Sequence, residues 1–176
     1  MEPVVGAIDG AALLAQLRII GLAALLAGLL GLEREIKGKP AGLRTHILVG
    51  VGAALLVLLG DVYVARFESE FGGGMVRADP IRLIQAVVVG ISFLGAGTIL
   101  HEGGSRIEGL TTAASILLTA AIGIAVALGA GILAACVTGS VVILLPLLGR
   151  LELWLGSKQA RREQTDPGGS ARSRPR

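Results

Sequence analysis

The chain has 176 residues, of which 53% are hydrophobic and only 16% charged, and its formal net charge is +3. A soluble domain usually carries about a quarter charged residues, so this composition excludes a globular domain that covers itself with polar surface in water. The 27 glycines suit helices that pack closely in lipid. Length and composition therefore predict a single integral membrane domain.

Five apolar stretches approach the length of about 20 residues that a membrane-spanning helix needs. The uncharged stretch Leu110–Leu148 would be about 58 Å long as one helix, nearly twice the bilayer core, so we expect it to fold back at Gly129-Ala130-Gly131. We predict an all-α, polytopic membrane bundle with spans at about Ala11–Leu32, Arg44–Val64, Ile81–Leu100, Leu110–Leu128 and Ile132–Gly149.

These helices predict a transmembrane domain over residues 1–150 and a basic tail over residues 151–176. From Ser157 onward no apolar residue is larger than alanine, so we expect the tail to be disordered. Met1–Gly10 has no basic residue, which argues against a signal peptide and for retention of the first helix. His101–Gly109 is predicted to be a short charged turn.

Orientation follows from the lysines and arginines. Twelve of the sixteen lie on the side of the first loop, the His101–Gly109 turn and the tail, whereas three lie on the other side and one, Arg18, lies within a span. Because loops rich in these residues stay in the cytoplasm, we predict an external N-terminus and a cytoplasmic C-terminus.

The main candidate for a functional site is the charged stretch Gly31–His46 between the first two apolar runs. It is interpreted either as a solvated loop that sets topology or as a site, since charged groups at helix ends are costly to desolvate unless they pair. The candidate residues at these two helix ends are Glu33, Arg34, Glu35, Arg44 and His46.

A second group of candidates lies at the opposite end. Arg18 falls about a third of the way into the first span, where a lone charge is costly. We expect it to pair inside the bundle with Asp61 or Asp79, the acids at that end of the second and third helices. Arg82, near the start of the third span, is a further candidate.

The third and fourth predicted helices carry small and hydroxyl residues of structural or functional interest. Gly95 and Gly97 weaken the third helix near its end. They serve either close packing, which we favour, or a local break that presents backbone groups to a ligand. Ser92 shares a face with Ala96. Thr111 and Thr112 open the fourth helix beside the charged turn.

Small residues also recur at four-residue spacing, which allows helices to approach closely in lipid. We predict packing faces on the first, third, fourth and fifth helices, formed respectively by Ala23, Ala27 and Gly31; by Ala86 and Gly90; by Thr111, Ser115, Thr119, Gly123 and Ala127; and by Gly131, Ala135 and Gly139.

Three stretches together resemble the MgtC/SapB family of bacterial membrane proteins: GLEREIKGKPAGLRTHILVGVGAAL (31–55), DPIRLIQAVVVGISFLGAGTIL (79–100) and GLTTAASILLTAAIGIAVALG (109–129). They have the family's order and spacing, and the resemblance covers about Leu14–Leu148. It implies an inner-membrane protein of about five spans with a place in the physiology of magnesium limitation. The family pattern has glycine where this chain has Ser92. Longer members carry a soluble C-terminal domain, whereas here a basic tail follows the last predicted helix, which leaves regulation through such a domain open.

Two functions are compatible with these features. We favour a non-enzymatic regulator that acts in adaptation to magnesium limitation by binding another membrane protein. Every Asp and Glu falls outside or at the edge of a predicted span, whereas cation pathways usually place acidic groups at depth. The alternative is a transporter or channel for a cation or small solute, favoured by the glycine-weakened third helix and the charged helix ends.

The remaining expectations concern chemistry and partners. We expect no enzyme activity, because no serine, cysteine or histidine arrangement typical of a nucleophile is visible, and we expect no cofactor. The expected partners are membrane lipid and another membrane protein. A homo-oligomer is compatible with the sequence, nucleic acid is not expected, and binding of magnesium or another ion stays open.

Overall fold

The structure is a computed structural model that describes residues 10–71, 80–102 and 106–165; within these ranges the side chains of 67–71, 80, 100–102, 106–108, 152–153 and 156–165 are left undescribed. The described chain forms five α-helices and one short antiparallel hairpin. In chain order the elements are α1 (Gly10–Ile36), α2 (Leu43–Phe71), α3 (Pro80–Ala96), β1 (Leu100–Glu102), β2 (Arg106–Glu108), α4 (Leu110–Ala127) and α5 (Gly131–Thr165).

Four stretches are long and apolar enough to cross a membrane: Gly10–Ile36, Leu43–Arg66, Leu110–Ala127 and Gly131–Leu151. The α3 helix is also apolar but has only 17 residues, which makes it about 26 Å long at 1.5 Å per residue. The predicted helical membrane bundle is therefore confirmed, with five helices in the described part of the chain and with bounds that differ from the predicted ones.

The core lies where α1, α2 and α4 cross, and glycine makes this crossing tight. A Cβ added to Gly50 would lie 2.6 Å from Cβ of Ala27, and one added to Gly123 would strike the carbonyl oxygen of Gly50. Glycine lets helix backbones approach this closely in lipid. Leu30 of α1 and Ile116 of α4 are fully buried in the same bundle.

The end of the third helix differs from the prediction. The α3 helix ends at Ala96 instead of Leu100, because the chain turns at Gly97 and Thr98. The Thr98 amide and hydroxyl donate to the Gly95 carbonyl at 3.0 and 2.8 Å. The expected turn at His101–Gly109 contains instead the β1–β2 hairpin, in which Leu100 pairs with Glu108. The helix therefore breaks off here, and the Gly95 carbonyl at its end accepts hydrogen bonds from Thr98.

The predicted fold-back between the fourth and fifth helices is confirmed at Gly129. This residue has φ 82°, a left-handed conformation that glycine adopts without a steric penalty. The Ala130 amide donates to the Ala125 carbonyl at 2.8 Å and the Gly129 amide to Val126 at 3.1 Å. These are the two hydrogen bonds of a Schellman motif, which satisfies the last carbonyls of α4.

The chain divides into two compact units, Met1–Gly139 and Ser140–Arg176. In the second unit α5 remains helical through Thr165, well beyond the expected end at Gly149. Residues 157–165 belong to this helix and are mostly good helix formers such as lysine, glutamine, arginine and alanine, while the disorder of the tail stays a prediction. The last eleven residues lie outside the described part, and the division at residue 150 stays a prediction.

The four-residue spacing of small residues predicted the packing faces of α1 and α4, but its predictions for α3 and α5 were wrong. The α1 face is buried, and so is most of the α4 face, with Thr112 rather than Thr111 at its start. Predicted packing residues that are instead exposed are Ala86, Gly90, Thr111, Ala135 and Gly139. The spacing shows which residues share a face of a helix, but it does not show which face meets a neighbour.

Candidate functional site

The loop between α1 and α2 holds the ends of both helices with specific contacts. Gly38 has φ 63°, and the Lys39 amide donates to the Arg34 carbonyl at 3.0 Å while the Gly38 amide donates to Glu35. This Schellman motif ends α1. Glu35 then accepts the Leu43 amide on Oε2 at 2.7 Å, so a side chain from α1 caps the first turn of α2.

The two helices are in direct backbone contact just before this loop. A Cβ added to Gly31 would lie 2.8 Å from Cβ of His46 and 2.9 Å from Cα of Leu43. Any larger residue would separate the helices. The contact therefore brings the last turn of α1 and the first turn of α2 to one end of the bundle, against the start of α4.

Arg34 turns inward at this end and is only 3% exposed. Its Nη2 donates to Thr112 Oγ1 at 3.2 Å, which joins α1 to α4. Its Nε is buried and has no hydrogen-bond partner among the described residues. A buried guanidinium needs such bonds because desolvation of a charged group is costly.

His46 is completely buried and joins α2 to α4. Its Nδ1 lies 2.9 Å from the Gly42 carbonyl oxygen, and its Nε2 lies 3.2 Å from Ser115 Oγ. The Ser115 hydroxyl also donates a hydrogen bond to the Thr112 carbonyl oxygen at 2.8 Å. The imidazole is thus held at both nitrogens.

Glu33 is the acidic member of this end. Its side chain is 8% exposed, and Lys37 Nζ lies 2.7 Å from its Oε1. This contact is an ion pair without the angular geometry of a hydrogen bond, so both carboxylate oxygens are buried without a hydrogen-bond donor in the described part of the chain. Oε2 in particular has neither kind of partner there.

The structure therefore brings together part of the predicted site and adds to it. We define the buried polar cluster as Glu33, Arg34, His46, Thr112 and Ser115. The other two members of the predicted group, Glu35 and Arg44, are exposed. Both line a separate shallow cavity of about 310 Å³ at the start of α2.

The candidates at the opposite end do not assemble. Arg18 and Asp61 are both exposed, and no ion pair joins these two described side chains. The expected burial of Arg18 inside the bundle is wrong, because the buried part of α1 begins only at Ala23. Arg82 is also exposed, and Asp79 lies outside the described residues.

The candidates on α3 have ordinary roles. Ser92 is exposed and donates to the Val88 carbonyl of its own helix at 2.7 Å. Gly95 is buried, and a Cβ there would lie 3.5 Å from Cβ of Ala113, an ordinary contact distance. Gly97 is exposed at the turn that ends the helix.

Sequence reasoning treated Ser115 only as a packing residue and did not connect it to His46. The available signal was the spacing of hydroxyls on α4, where Ser115 follows Thr112 by three residues and so lies on the same face. The sequence did not show how α4 is rotated about its own axis. This rotation places the face against both Arg34 and His46. In the described residues no three His, Cys, Asp or Glu side chains come together.

Apolar helices of membrane length, crossing tightly through glycines and joined at one end by buried polar side chains, define a polytopic membrane protein. Residues 20–154 match the model of the MgtC family. The chain belongs to this family. No solved structure matches it significantly.

Curated relatives agree with this assignment. The chain is 44% identical over 126 residues to a protein from Escherichia coli K12 named "Putative magnesium transporter YhiD", covering 72% of this chain and 56% of the relative. It is 41% identical over 120 residues to the protein MgtC of Brucella abortus (68% and 44%). It is 36% identical over 110 residues to the protein SapB of Bacillus subtilis (62% and 46%). The chain thus spans about half the length of these relatives.

Proposed function

We propose that the protein is a non-enzymatic regulator in the bacterial inner membrane, acting in adaptation to magnesium limitation by binding another membrane protein. The observation that carries the proposal is a groove between α2 and α3. Its volume is about 430 Å³, and its lining is aliphatic or glycine throughout: Leu48, Val49, Gly52, Ala53, Leu56, Leu83, Ala86, Val87, Gly90 and Ile91. We call this the α2–α3 groove.

Two glycines of the α2–α3 groove have no packing role in the described chain. A Cβ added to Gly52 or Gly90 meets no atom within 4 Å, whereas Cβ atoms at Gly50 and Gly123 collide with neighbouring helices. Glycine inside a helix costs roughly 1 kcal/mol relative to alanine. A transmembrane helix from a partner would make use of both positions, because small residues let two helix backbones approach in lipid.

The buried polar cluster supports a regulator over a transporter. Arg34 and His46 bond to α4 through Thr112 and Ser115, so these polar groups join helices instead of lining a path for a solute. The link to magnesium rests on the family resemblance and on the printed name of the Escherichia coli relative.

Filling the groove tests the proposal. We expect Gly52→Leu and Gly90→Leu to abolish growth at low magnesium while the protein stays at normal membrane levels. Gly21→Leu is the matched control, because Gly21 is exposed in a helix, as Gly90 is, and a Cβ added to it also meets no atom within 4 Å. A photocrosslinking residue at position 52 should trap a distinct membrane protein, whereas one at position 21 should trap none.

Three results would count against this role. Normal growth of both groove variants would remove the functional claim. Crosslinks only to lipid would assign the groove to acyl chains, and crosslinks only to a second copy of this chain would assign it to self-association.

Transport of a cation is the second candidate, favoured by the buried Glu33 carboxylate, whose Oε2 has no hydrogen-bond partner among the residues that the structure describes. Purified protein in liposomes, assayed for magnesium and proton flux, separates the two. Flux that disappears in Glu33→Gln would establish transport. The regulator proposal expects no flux in either protein.

A further inference from the structure

The hydrogen-bond pattern around His46 gives the Ser115 hydroxyl hydrogen two possible acceptors when the imidazole is neutral. The Gly42 carbonyl accepts only, so the Nδ1 that lies 2.9 Å from it must carry a hydrogen. In the neutral ring Nε2 is then bare and accepts from Ser115. Ser115, however, has a single hydroxyl hydrogen, and the Thr112 carbonyl oxygen 2.8 Å away is a second acceptor within its reach.

An added proton resolves this competition. In the imidazolium both ring nitrogens donate, so Nε2–H donates to Ser115 Oγ while the Ser115 hydroxyl hydrogen turns to the Thr112 carbonyl. Every donor along the line Gly42, His46, Ser115, Thr112 then meets one acceptor. The proton adds to the Nε2 lone pair, the hydroxyl rotates, and no covalent bond between heavy atoms changes.

We propose that His46 and Ser115 form a buried proton-binding site between α2 and α4, in which the Ser115 hydroxyl switches its acceptor when His46 gains a proton. A proton suits this place better than a metal ion, because it needs no cavity and the existing contacts already position both groups. The inference goes beyond the regulator proposal and does not depend on it.

The charged groups that face His46 come from α1. Complete burial of the imidazole opposes a positive charge on it, Arg34 opposes that charge as well, and Glu33 favours it. The α4 helix, Leu110–Ala127, contains no titratable side chain, and the only one on α3 is Arg82, at its far end. On α2 itself, Arg44 is exposed. The site therefore consists of one buried imidazole, one hydroxyl and two flanking charges of opposite sign.

The test uses ¹⁵N-histidine NMR of the full chain in lipid, in a His101→Gln background so that His46 is the single histidine. In the neutral state we expect the hydrogen on Nδ1 and a bare Nε2, the less common tautomer of free histidine. On acidification we expect both nitrogens to become protonated. A neutral ring with the hydrogen on Nε2 would overturn the proposal, and this measurement needs no substitution in the site.

Ser115→Ala provides the second arm. It removes the acceptor for Nε2–H, so a buried charged donor is left unpaired, and the pH midpoint of the His46 transition should fall by at least one unit, a tenfold loss of proton affinity. Ser92→Ala is the control, since the Ser92 hydroxyl also donates to a carbonyl of its own helix but lies on α3 and is exposed, and the His46 midpoint should not move in this variant. An unchanged midpoint in Ser115→Ala would also overturn the proposal.

Discussion

At the scale of single residues, two adjacent threonines at the start of α4 have opposite surroundings. Thr112 is 2% exposed and accepts from Arg34, whereas Thr111 is exposed. We expect Thr112→Val to lower the free energy of unfolding in mixed micelles by roughly 1–3 kcal/mol, because it leaves a buried guanidinium hydrogen without its acceptor. Thr111→Val, the matched control, should change it by less than about 0.5 kcal/mol. Equal effects would mean that the Arg34 contact contributes nothing.

The crossing of α2 and α4 gives a second prediction at this scale. Gly123→Ala places a methyl group against the Gly50 carbonyl, and the forced separation of backbones should cost about 1–3 kcal/mol. Gly139→Ala, whose Cβ meets open space in α5, should be neutral or stabilising by up to about 1 kcal/mol. Equilibrium unfolding of the two variants measures the difference, and a stabilising Gly123→Ala would contradict the crossing.

At the scale of elements, the start of α2 depends on a side chain from α1. Because Glu35 accepts the Leu43 amide, we expect Glu35→Ala to cost roughly 0.5–2 kcal/mol, as the loss of other helix caps does. Glu35→Gln keeps an oxygen acceptor and should recover much of this. Hydrogen exchange at residues 43–45 provides the measurement. Unchanged protection in Glu35→Ala would show that water replaces the cap.

The number of helices and the fold class were predictable from this sequence, because the length of each apolar stretch and the positions of glycine determine helices locally along the chain. The fold-back at Gly129 was predictable for the same reason. The end of α3 was not, since it depends on Thr98 turning back to Gly95. Glu33, Arg34 and His46 were identified as candidates by their charge beside apolar runs. Their partners Thr112 and Ser115 are about 70 to 80 residues away along the chain, and only the packing of α4 brings them together.

At the scale of the whole molecule, the orientation in the membrane stays a prediction from the lysine and arginine distribution. In a Cys136→Ala background, which lacks the single native cysteine, Ser69→Cys should react with a membrane-impermeant maleimide on intact cells. Lys39→Cys should react only after the membrane is permeabilised. The reverse pattern would place the α1–α2 loop and the buried polar cluster on the external side.

The shortness of α3 has a consequence for the surrounding lipid. At 17 residues it extends about 26 Å, against about 30 Å of hydrocarbon in a typical bilayer. A helix that is too short draws the two leaflets towards each other, at a cost of fractions of a kcal/mol per Å. We therefore expect the bilayer beside α3 to be thinner than beside the longer helices α1 and α2. A transmembrane segment with a correspondingly short apolar stretch would have its lowest mismatch energy there, so we expect membrane thickness to favour short helices as neighbours of α3.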